Sequence, residues 1–288
     1  MSDKSTYLNL GCGSRYHPDW INIDIASHAP EIIQHDLSRG IPLSDAVCDV
    51  VYHAAVLEHM RRSDAAAFMA ECYRVLKPGG IVRVGVPDLE KICRMYLSTL
   101  AAALNGDETA MYDYDWIMLE LYDQTVREKG GGGMLEYLRQ NPLPNETFVY
   151  EQIGEEGRQL VNALRGQDSH SKRSHPTFFY RVQRKLRSLP GIAKRRIAQW
   201  LLGAHDRRSL EIGRFRLAGE VHQWMYDRYS FARLLGQTGF RSSQLQNATT
   251  SRIPNWTSFN LDTLPNGQVI KPDLFFMEAI KPGDPIHA

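Results

Sequence analysis

The sequence predicts an α/β fold in which seven strands form a mostly parallel sheet with helices packed against it. Three observations lead to this prediction. Short apolar runs alternate with segments of helical period, several of the runs end in glycine or an acidic residue, and the same rhythm returns near the C-terminus after a long interruption. Strands separated by helices form right-handed βαβ units, and these units build parallel sheets.

The first part of the chain supplies five of the strands and one clear helix. The strands are predicted at Tyr7–Leu10, Trp20–Ile25, Glu31–Asp36, Asp49–His53 and Ile81–Val86. A helix is predicted over residues 63–76, because its apolar residues recur with a period of 3.6 and share one face. Pro78-Gly79-Gly80 follows this helix and is typical of a helix end.

A long insertion separates these strands from the last part of the sheet. Helices are predicted at Leu89–Leu104 and Met111–Lys129, with a four-glycine hinge at Gly130–Gly133. The βα rhythm resumes with a helix at Tyr229–Thr238, a strand after Gly239 and a final strand at Asp273–Lys281. We therefore expect a cofactor-binding half at residues 1–88, a mostly helical insertion or lid at 89–216, and a C-terminal part at 217–288 that completes the sheet.

Composition excludes several classes of protein. Hydrophobic residues make up 43% and charged residues 23% of the 288 residues, which excludes a disordered or collagen-like chain. The four cysteines show neither a CxxC motif nor a metal-ligand spacing, so no disulfide scaffold is expected. The polar N-terminus does not resemble a signal peptide, and no apolar run approaches the length of a membrane span. These features predict a cytoplasmic protein.

A basic segment stands out against an acidic remainder. The net charge is only +1, yet 13 Lys and Arg stand against two acids between Lys172 and Arg216. Within it, residues 177–203 read as two basic amphipathic helices broken by Pro190-Gly191. Three roles are open: docking on the protein body or in a homodimer, peripheral contact with an anionic membrane, and binding of nucleic acid. Nucleic acid is the least favoured, because the chain as a whole carries almost no net charge.

The first strand ends in a glycine loop, and the next two strands end near acids. The glycines of Gly11-Cys12-Gly13 allow the backbone to approach a ligand closely, although a tight turn without a ligand would require glycines as well. Asp24 can accept both hydroxyls of a ribose, and Asp36 with Leu37 can hold an adenine; helix caps are the alternative. A third glycine is missing, since Tyr16 takes its place, and only eleven residues separate Gly13 from Asp24. A pyrophosphate is therefore poorly supported.

In combination these segments resemble a known family. The motifs LNLGCG, NIDI, HDL, CDVVYHAAVLEHM and ECYRVLKPGGIVRVGVPD, in this order over residues 6–88, resemble the class I S-adenosylmethionine-dependent methyltransferases, in particular the type 11-like group. Two C-terminal segments, EVHQWMYDRYSFARLLGQTGF and KPDLFFMEAIK, resemble a bacterial branch of that family found with surface-polysaccharide genes. The resemblance implies a doubly wound, Rossmann-like sheet with S-adenosylmethionine as the cofactor.

The resemblance also implies roles for individual residues. The cofactor's methionine part would lie on the first loop, its ribose on the acid of the second strand, its adenine on the pair after the third strand, and its sulfonium beside the end of the fourth. The residues concerned are Gly11, Cys12, Gly13, Asp24, Ile25, Asp36, Leu37, His53 and Ala54. The missing first helix departs from the family pattern and leaves the carboxylate of the cofactor without its usual contact. Arg15 is a substitute donor by charge.

Three residues are candidates for the base that would take a proton from the acceptor. In order, they are His222, His53 and Glu58, with a packed or structural role as the alternative for each. Asp88 is an isolated acid after the fifth strand, and no metal is expected. The function predicted is in-line O-methylation of a saccharide or glycolipid precursor with a histidine base. The alternatives are an RNA or small-metabolite N- or O-methyltransferase, and a non-catalytic protein that binds the cofactor or its demethylated product.

Overall fold

The computed structural model describes residues 5–166 and 203–283, and its centre is a sheet of seven strands. The strands are β1 (Tyr7–Leu10), β2 (Ile21–Asp24), β3 (Ile32–Gln34), β4 (Cys48–Ala54), β5 (Leu76–Pro87), β6 (Arg241–Gln246) and β7 (Leu274–Ile280). Their order is β3-β2-β1-β4-β5-β7-β6. All pairs are parallel except the two that involve β7, which runs antiparallel to both β5 and β6. The predicted α/β fold is confirmed.

The described helices lie between β4 and β5 and between β5 and β6 along the chain. They are α1 (Arg62–Val75), α2 (Leu89–Leu104), α3 (Glu108–Met118), α4 (Gln124–Val126), α5 (Gly132–Leu138), α6 (Glu146–Leu164), α7 (Ala204–Arg216) and α8 (Arg228–Gln237). Short 3-10 turns at Leu37–Arg39, Leu57–His59 and Trp256–Phe259 lie in the connections. Among the described helices, none is both long and apolar enough to cross a membrane.

The chain divides into two compact units. The described residues of the first unit fall within Met1–Lys91, Tyr150–Arg158 and Trp224–Ala288, and this unit holds the whole sheet. Those of the second fall within Ile92–Val149 and Gln159–Gln223 and are helical. The basic segment at 177–203 lies outside the described residues apart from Gly203.

One face of the sheet is apolar and is covered by α1 and α8. Alternate residues of β1, β2, β4, β5 and β7 point to it, as the two-residue period of a strand requires. The strand residues are Leu8, Leu10, Ile23, Val51, Val82, Val84, Val86, Phe275, Met277 and Ala279. They pack against Phe68 and Met69 of α1 and against Phe231 and Leu235 of α8. Helix α8 begins with a capping box, in which the carboxylate of Asp227 accepts the backbone N–H groups at the helix start.

The opposite face is polar and aromatic, and irregular chain covers much of it. The alternate strand positions here include Asn9, Asn22, Tyr52, Arg83 and Glu278, all buried. They meet Trp20 from the β1–β2 connection and residues from the β6–β7 connection. The apolar part of this cluster consists of Trp20, Val50, Tyr52, Ile253, Trp256 and Leu261.

The second unit departs from the helix predicted over Met111–Lys129. Helix α3 ends at Met118, and a π-helical turn at Leu119–Asp123 leads into the short α4. The glycine hinge is also shorter than expected, because Gly132 and Gly133 already belong to α5. The carboxylate of Asp123 accepts the backbone N–H of Gly133 at 2.6 Å and binds Arg127. These bonds hold the π turn against the start of α5.

Candidate active site

The strand order reverses between β1 and β4. From β1 the chain moves outward through β2 to β3, and it then returns to the other side of β1 as β4. In an open α/β sheet, ligands bind at the carboxyl ends of the strands where this reversal occurs. The loops that follow β1 and β4 therefore define the candidate site, and both belong to the first unit.

Gly11 brings these two loops into contact. Its φ of +63° favours glycine, and a Cβ atom on it would lie 2.5 Å from Cγ2 of Val56, which follows β4. Its backbone N–H donates to the carbonyl of Ile23 at 2.8 Å, which ties the loop to β2. Ala55, also after β4, has a φ of +54°, an uncommon conformation for a residue with a side chain. Backbone strain of this kind concentrates at functional sites.

Asp24, the last residue of β2, organises the glycine loop. One carboxylate oxygen accepts the backbone N–H of Gly13 at 2.9 Å, and the other accepts that of Ala26 at 2.9 Å. The side chain is buried. A carboxylate offers about four acceptor positions, so these two bonds are compatible with further bonds to ribose hydroxyls. The arrangement fits the predicted role.

The other residues predicted on this loop lie close to it. Cys12 is buried and its backbone N–H reaches the carbonyl of Ile23. The backbone N–H of Arg15 donates to the carbonyl of Cys12 at 2.8 Å, and Arg15 is half-buried. Ile25 exposes 43% of its surface directly after Asp24. An exposed apolar side chain at the end of a strand suits packing against a flat ring.

Asp36 and Leu37 form a turn after β3. The carboxylate of Asp36 accepts the N–H of Ser38 at 3.2 Å and its hydroxyl at 2.7 Å, so it caps the 3-10 turn that begins at Leu37. The capping role that the sequence left open is therefore present. Leu37 is partly buried against the apolar core. Their role toward an adenine stays a prediction.

His53 lies at the end of β4 as predicted, but its side chain faces the apolar core. The ring is fully buried and packs edge-to-face on Phe68 of α1 at 5.1 Å between centroids. Neither ring nitrogen has a hydrogen-bond partner among the described residues. Burial lowers the pKa of His53 to about 3. A ring this weakly basic is a poor proton acceptor, which argues against His53 as the base. Ala54, next along β4, is partly buried on the opposite face.

Glu58 lies in the 3-10 turn that follows β4 and is 1% exposed. Burial raises the pKa of Glu58 to about 7, while Lys271 opposes and Asp273 reinforces this rise. Its backbone carbonyl accepts the N–H of Trp224 at 3.2 Å. Glu58 therefore makes a structural contact through its backbone carbonyl, and the pKa of its side-chain carboxyl group is raised.

His222 belongs to the second unit and is buried, with 6% of its surface exposed. Its backbone N–H donates to the carbonyl of Gln124 at 2.9 Å. Its catalytic role stays a prediction from the sequence.

Sequence reasoning missed a charged group at the same edge of the sheet. Because β7 is antiparallel, the residues before it lie beside the carboxyl end of β5, as the pairing of Pro87 with Leu274 shows. Lys271 and Asp273 stand there, and Lys271 binds Glu156 at 3.2 Å. Glu156 follows the kink of α6 at Gly154, whose Cβ would lie 2.4 Å from the carbonyl oxygen of Ile270. The position of this group could have been predicted from the sequence only if the antiparallel direction of β7 had been known.

The segment that contains these loops is similar to known proteins. Residues 8–84 match the family model described as a methyltransferase domain. A probable S-adenosylmethionine-dependent methyltransferase of Mycolicibacterium smegmatis is 37% identical over 98 residues, which are 28% of this chain and 37% of that protein. A protein of the same description from Mycobacterium tuberculosis is 34% identical over 99 residues, which are 28% of this chain and 35% of that protein.

Over the segment that holds β1 to β5, the chain is therefore similar to S-adenosylmethionine-dependent methyltransferases. The aligned segment spans little more than a third of the length of each of these two relatives. A solved structure from Thermotoga maritima, a SAM-dependent methyltransferase described as a possible histamine N-methyltransferase, covers 98% of this chain and 84% of its own. It is 10% identical with a TM-score of 0.38, so the fold assignment rests on the strand order.

Proposed function

We propose that the protein is an S-adenosylmethionine-dependent methyltransferase that binds the methyl donor at the loops after β1 and β2. The observation that carries this proposal is the contact of Gly11 with the loop after β4, beside the carboxylate of Asp24. At the point where the strand order reverses, Gly11 would let the backbone approach the donor closely, and the carboxylate of Asp24 would accept the ribose hydroxyls. The similarity of residues 8–84 to methyltransferase domains supports the same assignment.

In this proposal the residues of the site bind and orient the donor. Asp24 would accept the ribose hydroxyls, and Ile25 with Leu37 would contact the adenine ring. Arg15 would pair with the carboxylate of the methionine part. The bound donor supplies an electrophilic methyl group on a sulfonium. The protein's contribution is to hold that group in line with the acceptor, an effect worth about 7–11 kcal/mol of the barrier.

Replacement of Asp24 tests the donor site. Asp24→Asn keeps the size of the side chain and one acceptor oxygen for the loop, but it removes the charge that would bind the ribose. Hydrogen bonds to charged groups contribute about 1.5–3 kcal/mol each, so we expect donor affinity to fall by about ten- to a hundredfold. Isothermal titration calorimetry with S-adenosylmethionine and S-adenosylhomocysteine measures it.

The matched control is Asp19→Asn, because Asp19 is an exposed acid of the same β1–β2 connection. We expect this variant to bind both compounds as the wild type does. Unchanged affinity in Asp24→Asn would refute the ribose assignment. An absence of binding in the wild type would refute the donor site as a whole.

We further propose a saccharide or glycolipid hydroxyl as the acceptor. The resemblance of residues 220–240 and 271–281 to a branch found with surface-polysaccharide genes supports this class. Trp224 adds physical support, since its indole is 39% exposed and offers an apolar plane on which the C–H face of a sugar can pack. Arg62 lies 4.8 Å from its ring centroid and holds the ring in place. His222 is the histidine that remains as a candidate for the base.

A methyl-labelled donor tests the acceptor class. The protein is incubated with separate pools of oligosaccharides, glycolipids, RNA and small metabolites, and label is measured in each pool. Label in saccharide or glycolipid is the expected result. Label in RNA or small metabolites alone would replace the acceptor and keep the enzyme. Donor binding without label in any pool would favour the non-catalytic binding protein.

A further inference from the structure

Two buried polar groups lie at neighbouring strand ends of the sheet without a hydrogen-bond partner. Glu58, after β4, is 1% exposed, and Tyr226, which forms a parallel bridge with Asp88 after β5, is 3% exposed. Among the described residues, Oε2 of Glu58 and the hydroxyl of Tyr226 have no partner. Most buried polar atoms in proteins are hydrogen-bonded, so two exceptions side by side require an explanation.

The backbone places these two residues together. The N–H of Trp224 donates to the carbonyl of Glu58 at 3.2 Å, and the N–H of Leu89 donates to the carbonyl of Tyr226 at 3.2 Å. The segment 224–226 thus runs from the turn after β4 to the end of β5. Burial raises the pKa of Tyr226 to about 12, and the charge of Glu58 contributes to this rise while Arg62 opposes it. The charge of Glu58 therefore acts on the hydroxyl of Tyr226.

Other charged groups of the first unit surround Glu58. His59 approaches it at 3.9 Å between Nε2 and Oε1, and Lys271 and Asp273 act on it through their charges. Lys271 is itself bound to Glu156. No strong cation is bonded directly to Glu58 within the described part of this unit, so its carboxyl group is able to exchange a proton near neutral pH.

We propose that Glu58 and Tyr226 form the subsite that binds the nucleophilic hydroxyl of the acceptor, with Glu58 as the base. The inference rests on the proposed methyltransferase function. The hydroxyl of Tyr226 donates a hydrogen bond to the acceptor oxygen and orients it. The proton of the acceptor hydroxyl passes to the carboxylate of Glu58. The electron pair of the broken O–H bond forms the new bond to the methyl carbon, and the pair of the broken carbon–sulfur bond stays on sulfur.

This subsite explains why both polar groups are buried without partners, because the hydroxyl of the substrate would donate a hydrogen bond to Glu58 and accept one from Tyr226. It also changes the order of candidate bases. Glu58 takes the place that the sequence gave to a histidine. Trp224, whose backbone joins the two residues, would contact the apolar face of the same acceptor.

The test uses the full-length protein, the methyl-labelled donor and the acceptor pool that the wild type labels. Glu58→Gln should lower the rate of methyl transfer by about 10²- to 10⁴-fold and leave donor affinity unchanged. In the wild type the rate should rise with pH through about 7 and then level, because the base acts when deprotonated. In Glu58→Gln this inflection should disappear. Tyr226→Phe should raise the KM for the acceptor more than it lowers kcat.

Glu71→Gln and Tyr52→Phe are matched controls, because Glu71 is bound to Arg74 and Tyr52 to Asp262 in other parts of the first unit. Both should keep the wild-type pH profile. A wild-type profile in Glu58→Gln, or an unchanged acceptor KM in Tyr226→Phe, would overturn the inference and leave the proposed function intact. If Glu58→Gln does not fold, Tyr226→Phe and the pH profile of Glu58→Asp decide it. A failure of the wild type to bind the donor, or to label any pool, would instead overturn the proposed function.

Discussion

The two faces of the sheet are buried by different kinds of interaction. The face under α1 and α8 is packed by aliphatic and aromatic side chains, and His53, which contacts Phe68 there, has no hydrogen-bond partner among the described residues. The opposite face buries Arg83, Asp262 and Glu278 at 6% exposure or less, and Arg83 binds both carboxylates. One face is held by shape and apolar area, and the other by paired charges.

The paired charges fasten irregular chain where a helix could have packed. The β1–β2 connection contains no helix, so the sheet lacks that cover. The guanidinium of Arg83 binds Asp262 at 2.9 Å and Glu278 at 2.9 Å and donates to the carbonyls of Asn247 and Thr250. Trp256 lies on the same guanidinium at 4.2 Å. A segment without regular structure needs such side-chain bonds to satisfy its backbone.

Arg83→Met is the largest test of this difference. The variant keeps the length of the side chain but leaves the buried carboxylate of Asp262 without its cation, whereas Glu278 keeps a contact with Arg252 at 3.4 Å. Removal of one partner of a buried ion pair costs about 3–5 kcal/mol, so the free energy of unfolding should fall by that amount. Urea denaturation followed by circular dichroism measures it.

The control for this variant is Lys77→Met. Lys77 binds Asp49 at 2.9 Å, but both side chains are about one-third exposed. An ion pair of this kind contributes about 0–1 kcal/mol. Equal losses in the two variants would show that the network of Arg83 does not hold the polar face.

The sequence predicted the apolar face well, because that face follows from local pattern. The other strand bounds, the face of α1 and the position of Asp24 agree with the period-based expectation within a few residues. Strand β5 differs, because it begins at Leu76 and not at the predicted Ile81, and it contains the Pro78-Gly79-Gly80 segment that was predicted to end the helix. Leu89–Leu104 was predicted with the bounds that α2 has. In each case the information lies within a dozen neighbouring residues.

The polar face and the Glu58–Tyr226 pair could not be predicted in this way. Arg83 meets partners 179 and 195 residues further along the chain. Tyr226 reaches Asp88 only through a bridge that depends on the path of the chain after the insertion. Pairings of this range leave no periodic signal. The orientation of His53 could not be predicted either. A residue at the end of a strand can point to either face of the sheet, and only the contact with Phe68 shows which face the ring of His53 occupies.

His53 gives a smaller test, on the apolar face. Its pKa is lowered to about 3 by burial, whereas in an unfolded chain it is about 6.5. Below about pH 6.5 the unfolded chain therefore binds a proton that the folded chain does not. The free energy of unfolding falls by about 1.4 kcal/mol for each pH unit in this window, which extends down to the folded pKa. From about pH 6.5 to about pH 5 the loss from this residue is about 2 kcal/mol.

His53→Leu should remove this loss, because leucine suits the contact with Phe68 and takes up no proton. The measurement is the free energy of unfolding at neutral and mildly acidic pH in the wild type and the variant. His205→Gln replaces an exposed histidine and should keep the wild-type dependence on pH. If His53→Leu loses as much stability on acidification as the wild type, the histidine is bonded or hydrated in solution. Water or a polar group would then contact His53, and the face under α1 and α8 would not be held by apolar contacts alone at this position.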